Sequence, residues 1–595
     1  MTATTRWFHL PLLLLLGGLL FFSGLGNLGL TDRDEGSNAE AAREMVESGD
    51  WMSPTLNYEP RFAKPAFTYW VMSGFYHLFG VNERSARLHA AVFGLLLIGL
   101  QYGFLTVVRG PWFALVGSLM LALNLEMVAI SRVALTDSVL IFFTTLSLYG
   151  FWLGLYQTPP PETRPQTEAG RVHPTLWLFY LGMAFATLTK GPVGLLVPLL
   201  AVAAYLTMSR RWGDFWQRGR PLAGAALTVA VALPWYVGML LIHGERYTTS
   251  AQADTVGRFF SMIGGHGGTI FFYIPILLFG FFPWSGFAVV GLWHTLRDWH
   301  ARRQAARSAP ESMPRTVAPP DLEWFAAAWI VALFVFFSLS ATRLPHYIGP
   351  LFPAAAILAA AFWQRATENS RTPGLPVAFG LFAFSGYALG MTLLSAPYLY
   401  DTFVSAIEKE FPLARQFSPG IGPVAAGGLL VAGTALAHLF GRSEDRRPGA
   451  FWIAATSVPL ALLMIIHIML PQFHEDFISP PQTLATIAGY NLGPEDRFIT
   501  YGPHKPSWIF YARRKAIVIR PGEEEKLKAA LDHPGRTMIL LPSKLRARLP
   551  HETDSFELLL ERKGYSLLAN EPVIKLPPKP PAPSRPPIPE HALPR

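Results

Sequence analysis

The feature that most constrains this chain is a succession of apolar runs near twenty residues long, recurring from the N-terminus to about Pro471. Wound as a helix, a run of that length crosses the ~30 Å hydrocarbon core of a bilayer. Only helices and closed barrels satisfy their own backbone groups there. The chain therefore reads as a polytopic α-helical membrane protein. A window of about 19 residues gives about 13 transmembrane helices, centred near residues 16, 95, 120, 147, 181, 200, 231, 280, 331, 356, 385, 430 and 460. Composition agrees, with 51% hydrophobic and 15% charged residues, against about 25% charged in soluble domains. Met1–Phe22 has Arg6 ahead of an apolar core, as a signal peptide would. Ser23-Gly24-Leu25-Gly26 is a weak cleavage site, so the segment reads as the first span.

Basic residues set the orientation. One set of loops carries Arg109, Arg164 and Arg171, then Arg210, Arg211, Arg218 and Arg220. The same side carries Arg297, Arg302, Arg303, Arg307 and Arg315, then Arg365, Arg371, Arg442, Arg446 and Arg447. Placed in the cytoplasm, these put the N-terminus inside and account for the net charge of +9. Nucleic acid is not implied as a partner. The absence of cysteine excludes disulfides, thiolate metal sites and a Cys nucleophile.

The outward loops are then Asp34–Trp70, Ser131–Asp137, Lys190, His243–Gly268, Ala341–Tyr347 and Pro397–Pro419. They hold the charged groups that look placed rather than scattered. Residues 1–470 form the membrane domain. Residues 471–575 read as a small extracytoplasmic α/β domain, with strands at Asp496–Tyr501, Ala516–Arg520 and Met538–Leu541 and helices at Glu523–Leu531 and Lys544–Leu549. Residues 576–595 are a Pro-rich tail. In the first loop, Ser37-Asn38-Ala39-Glu40 reads as a capping box. It opens a helix over Ala39–Ser48 that lies on the outer membrane surface and presents Asp34 and Glu35 to a cavity.

Each charged group has two readings. Asp34 could accept a proton from an acceptor hydroxyl, or cap the surface helix. Lys64 could hold a lipid-linked phosphate, or snorkel from a helix end. Asp137 could orient an acceptor or bind a metal, or answer a helix dipole. Lys190 is an isolated cation between apolar runs and favours phosphate binding. Asp254 and Arg258 are four apart, suited to one helix face or to a surface ion pair. His266 among glycines could bind a divalent metal or phosphate, although a lone His is more often structural. Arg343 could meet a leaving phosphate, while His346 and Tyr347 share its turn, Tyr347 as an interfacial anchor. Lys64, Lys190, Arg258 and Arg343, with Asp34 and Asp137, sit on separate loops at one membrane level. Transfer from an anionic lipid carrier to a nearby acceptor needs such a set.

These motifs resemble the polyprenyl-phosphate-dependent glycosyltransferases of the C-type superfamily, in the branch of the lipid A aminoarabinose transferases and protein mannosyltransferase-like enzymes. The residues that carry the resemblance are Asp34-Glu35, Ala39-Glu40, Ala42 to Met45, Gly49-Asp50-Trp51, Pro54, Asn57, Phe62, Lys64-Pro65 and Tyr69-Trp70. Later matches are Thr136-Asp137, Thr189-Lys190-Gly191, Arg258-Phe259, Gly265-His266, Pro283-Trp284 and Leu344 to Tyr347. The C-terminal Tyr501-Gly502 and Phe510 to Arg514 look like that group's terminal domain. The resemblance implies an inverting transfer from a polyprenyl (undecaprenyl) phosphate sugar to lipid A or another envelope glycolipid. It places the chain in a bacterial inner membrane, with its site on the periplasmic face. Asp34 and Asp137 are the catalytic candidates. Glu35, Lys64, Tyr69, Lys190, Arg258, Arg343, His346 and Tyr347 are the substrate-binding candidates. The chain departs from the family at Phe62-Ala63-Lys64-Pro65, where relatives often have Phe-Glu-Lys-Pro; this puts a metal at His266 in doubt. The rival readings are a protein O-mannosyltransferase-like enzyme, separated by its protein acceptor, and a lipid or solute transporter. A transporter would place charges near the midplane and pair its halves.

Overall fold

The computed structural model describes residues 8–32, 34–156, 173–253, 257, 260, 268–308, 320–369, 371–408 and 410–576. Among them, nine helices are long and apolar enough to cross a bilayer, from Glu83–Arg109 to Arg447–Asn491. Tyr273–Gly280 and Ser285–Ala305 meet that test together, bent by 116° at a short break. His9–Phe22, Pro111–Ala122 and Leu176–Lys190 are shorter apolar helices. Every span centre read from the sequence falls in one of these helices, the centre at 280 lying at the bend. The protein is a multi-span helical membrane protein.

Along the first part of the chain the helices are α1 (His9–Phe22), α2 (Asp34–Ser48), α3 (Phe67–Phe79), α4 (Glu83–Arg109), α5 (Pro111–Ala122), α6 (Leu125–Ile130), α7 (Asp137–Tyr156), α8 (Leu176–Lys190) and α9 (Pro192–Ser209). They are followed by α10 (Trp212–Arg218) and α11 (Pro221–Gln252). Helices α7 and α8 pack through small residues. A Cβ on Gly182 would come within 2.7 Å of the Phe143 carbonyl, and one on Gly150 within 2.6 Å of the Phe179 nitrogen. This antiparallel pair sets the start of α7, at Asp137, beside the end of α8, at Lys190. Gly191 then turns the chain with φ 70°, and Pro192 opens α9 at its first helical position.

Helix α2 differs from the expectation in two ways. It begins at Asp34, so that Asp34 and Glu35 occupy its first turn, where the helix dipole favours carboxylates, and Ser37 lies inside it. It also does not lie on lipid. Residues 35–45 are buried on all sides, because α3 covers one face and the C-terminal helix Pro506–Ala512 covers another. Ala39, Ala41, Ala42 and Met45 pack with Tyr69, Met72, Tyr76 and Phe510. A Cβ on Gly36 would lie 2.9 Å from the Ser507 nitrogen, so only glycine permits this approach.

After α2 comes a hairpin of β1 (Thr55–Leu56) and β2 (Glu59–Pro60), turned by Asn57 and Tyr58 at φ 57° and 61°. The C-terminal region holds a five-stranded sheet ordered β4-β3-β5-β7-β6, from β3 (Arg497–Tyr501), β4 (Ala516–Ile519), β5 (Thr537–Pro542), β6 (Glu557–Arg562) and β7 (Tyr565–Ala569). Strands β4, β3 and β5 are parallel, whereas β7 and β6 add antiparallel. The sequence reading finds the first three strands and the helix at Glu524–Leu531, but not the β6–β7 hairpin or the helix Pro506–Ala512. Residues 543–548 form a 3-10 segment rather than an α-helix. The tail beyond residue 576 lies outside the described residues.

Candidate active site

Lys190 closes α8 with its Nζ 2.6 Å from Asp137 Oδ1, both side chains being buried. The same ammonium stands 4.6 Å from the ring centre of Tyr347. His346 Nε2 is 3.9 Å from the other Asp137 oxygen. His346 and Tyr347 belong to the 3-10 segment Pro345–Leu351, which leads into the helix Phe352–Glu368. Asp34 and Lys64 are also within electrostatic reach of His346. Five side chains from four stretches of the chain, Asp34 and Lys64 from one of them and Asp137, Lys190 and His346 from the other three, thus share one electrostatic neighbourhood.

A cavity of about 390 Å³ opens beside them. Its polar end holds Lys64, Lys190 and Tyr347. Its walls are apolar and aromatic, with Phe62, Trp235, Tyr236, Tyr247, Phe336 and Phe337 among them. Trp235 and Tyr236 come from α11, and the sequence reading did not single them out. Such a cavity suits an amphiphile with an anionic head, because ammonium groups meet the head while apolar walls take a hydrocarbon chain.

The structure places Glu35 off the cavity wall, against Arg87. Its carboxylate accepts from Arg87 Nε at 2.7 Å and Nη2 at 2.9 Å, from the Ala134 N–H at 3.0 Å and from the Thr31 N–H at 2.7 Å. Arg87 in turn donates to the carbonyls of Leu25, Leu28 and Gly29. Burial alone would raise the Glu35 carboxyl, but the charge and hydrogen bonds of Arg87 hold it below the ordinary range. Through Arg87, Glu35 ties the segment after α1, α2 and the Asp137 loop together, and it does not line the cavity. Tyr69 is likewise buried and off the cavity wall. Its hydroxyl accepts from Arg61 Nε at 3.1 Å and donates to Asn38 Oδ1 at 3.4 Å. Arg343 donates to the carbonyls of Ser338 and Gly268 and also stands off the wall, although its neighbour Thr342 lines it. Asp34 is half-buried at the head of α2.

Arg258 and His266 lie outside the described residues, as does Asp254. Among the described residues no three His, Asp or Glu side chains group to hold a metal ion, and Ala63 stands on the cavity wall.

Sequence reasoning also passed over Glu126. It sits on α6, where burial, and after it the charge of Asp137, push its carboxyl up to about 7. The signal was Asn124-Leu125-Glu126 after an apolar run, with Asn124 accepting from the Met127 N–H at 2.9 Å as a helix cap.

Residues 35–246 match the model of the dolichyl-phosphate-mannose-protein mannosyltransferase family. The chain is 28% identical over 397 residues to the undecaprenyl phosphate-alpha-4-amino-4-deoxy-L-arabinose arabinosyl transferase of Edwardsiella ictaluri, covering 66% of each chain. It is 31% identical over 356 residues to the protein of that name in Pseudomonas aeruginosa, covering 60% of this chain and 59% of the relative. The aligned stretch thus spans less than two thirds of these relatives' own length. The fold matches the crystal structure of ArnT from Cupriavidus metallidurans bound to undecaprenyl phosphate, with a TM-score of 0.73 at 23% identity, over 96% of this chain and 99% of that one. The resemblance of this chain to the polyprenyl-phosphate-dependent C-type glycosyltransferases therefore holds in both sequence and fold.

Proposed function

We propose that this protein is an integral-membrane glycosyltransferase that moves a sugar from a polyprenyl phosphate to an acceptor on the extracytoplasmic face, lipid A or another envelope glycolipid. The observation that carries this is the cavity: aromatic and aliphatic walls for a prenyl chain, with Lys64 and Lys190 at its polar end beside Asp137, His346 and Tyr347. Similarity to transferases named for an undecaprenyl phosphate-linked sugar supports the carrier class. Nine helices that meet the length and apolarity test, the bent pair taken as one span and the three shorter apolar helices are together compatible with thirteen crossings. With the loop arginines in the cytoplasm, this reading assigns α2 and the C-terminal sheet to the outer face of a bacterial inner membrane and divides the chain into domains 1–470, 471–575 and 576–595.

In the transfer, an acceptor oxygen attacks the anomeric carbon from the side opposite the carrier. The bond from that carbon to the phosphate oxygen breaks, its electron pair stays on the phosphate, and the configuration inverts. Lys64 and Lys190 stabilise the charge that builds on the leaving phosphate. Asp34 takes the proton when the acceptor is a hydroxyl. A phosphate acceptor is already ionised near neutral pH, with a second pKa of about 6, and Asp34 then positions rather than deprotonates. Asp137 holds Lys190 in place and balances its charge.

The test is transfer in proteoliposomes from a panel of polyprenyl-phosphate sugars, with free polyprenyl phosphate and glycosylated product followed by mass spectrometry. Sugar-dependent turnover that falls about 10²- to 10⁴-fold in Asp34→Asn is expected for a hydroxyl acceptor; turnover that survives indicates a phosphate acceptor. A glycosylated peptide would favour the protein acceptor suggested by the family matched at residues 35–246. Solute or lipid movement without transfer across the panel would overturn the proposal.

A further inference from the structure

Most cations near this site are matched. Arg87 meets Glu35, Arg43 meets Glu40 and Glu47, Lys190 meets Asp137, and Lys505 meets Asp32. Arg132 rests on the carbonyls of Leu20 and Phe21. Arg61 differs. It is half-buried, and its guanidinium donates to the Tyr69 hydroxyl at 3.1 Å and to Asn38 Oδ1 at 3.4 Å. Both acceptors are neutral, and among the described residues no carboxylate forms an ion pair with it. A guanidinium carries five N–H donors and a permanent charge, so one that is partly withdrawn from water and braced by neutral groups is prepared for an anion.

Its position says which anion. Arg61 immediately precedes Phe62–Pro65, which line the cavity, but is not itself on the cavity wall. Its brace, Asn38, is one helical turn from Asp34 on the same side of α2. Asn38 is in turn fixed by donating to the Ala134 carbonyl at 3.0 Å, on the loop that leads to Asp137. Arg61 thus stands on the Asp34 side of Lys64, away from the apolar walls that suit the carrier.

We infer that Arg61 binds an oxyanion on the acceptor, a phosphate monoester or a carboxylate, and so selects anionic glycolipids over neutral ones. This rests on the function proposed above, which gives Lys64 and Lys190 to the carrier phosphate. The planar fork of arginine meets two oxygens of either group at once, which lysine cannot do.

The experiment uses the full chain in phosphatidylcholine nanodiscs with three synthetic glucosamine-disaccharide lipids: one bearing a phosphate monoester, one a carboxylate, one uncharged. Binding is measured directly, and transfer is measured as KM for donor and acceptor. For Arg61→Gln, Kd and KM for the preferred anionic lipid are expected to rise about 10- to 100-fold. The donor KM and the uncharged lipid should stay within about twofold, and Arg61→Lys should recover part of the loss. The wild-type preference between the two anionic lipids names the oxyanion. Equal wild-type affinity for charged and uncharged lipids, or a loss in Arg61→Gln shared by all three lipids or appearing in the donor KM, overturns the inference. A thermal melt of each variant separates these outcomes from misfolding. Sugar transfer without an Arg61-dependent charge preference sinks this inference alone. Arg61-dependent binding without transfer from any carrier sinks the glycosyltransferase reading alone.

Discussion

Glu35 and Arg87 illustrate what a buried charge demands at the residue scale. Their pair, with two hydrogen bonds from Thr31 and one each with Ala134, Leu25, Leu28 and Gly29, leaves neither ion short of partners. Breaking one side strands the other, so Glu35→Ala should cost about 3–5 kcal/mol, read as a lowered melting temperature in detergent. Replacing both with apolar residues of similar size should cost less. Glu44 offers a pH test. Burial pushes its carboxyl up to about 7, with the charge of Glu40 adding to the shift and the Thr55 hydrogen bond opposing it. A raised folded-state pKa means the fold disfavours the ionised form. Stability should therefore fall as pH rises from about 4.5 to about 7 and then level off, and Glu44→Gln should remove that part of the pH dependence. Lys190 could be singled out in the sequence, because an isolated charge between apolar runs is expensive, whereas Lys64 and Asp137 also admitted snorkelling and helix-dipole readings. The role of Glu35 was not legible, since its partner Arg87 lies 52 residues away in the chain.

At the scale of elements, α2 acts as a hinge pin between membrane and C-terminal regions. Asp32 just ahead of it accepts from the Ser507 backbone N–H at 3.3 Å and the Ser507 hydroxyl, and its other oxygen is 3.2 Å from Lys505 Nζ. Tyr511 donates to Glu83 at 2.7 Å and accepts from the Leu30 N–H at 3.1 Å. Asn57, in the β1–β2 turn, pairs with both backbone groups of Ala516 at 2.8 and 2.7 Å, extending the β4 edge as a strand would. Gly36→Leu should push the helix Pro506–Ala512 away, seen as faster protease cleavage within residues 497–569. Asn57→Ala should weaken the same docking by about 1–3 kcal/mol, seen as increased hydrogen exchange along β4. Local pattern gave away the helix 39–48 and three strands. It could not show that α2 is covered all round, because its Glu40 and Arg43 look like a solvent face until their mutual ion pair is seen.

Over the whole molecule, apolar periodicity made the membrane architecture readable, and the loop arginines gave its proposed orientation. The cavity was not readable, because its walls come from α8, α9, α11 and the helix Leu322–Leu339 and meet only in three dimensions. Lys64→Met should weaken polyprenyl-phosphate binding about 10- to 100-fold. Lys190→Met should weaken it similarly and also lower the melting temperature, since it strands buried Asp137. The central claim is that this cavity holds the carrier, and photolabelling with a benzophenone-bearing polyprenyl phosphate tests it most directly. The account predicts adducts on peptides containing Trp235, Tyr236 or Phe336, suppressed by excess polyprenyl phosphate but not by uncharged polyprenol, and lost in Lys64→Met. Labelling spread over lipid-facing helices, or competed equally by the polyprenol, would contradict it.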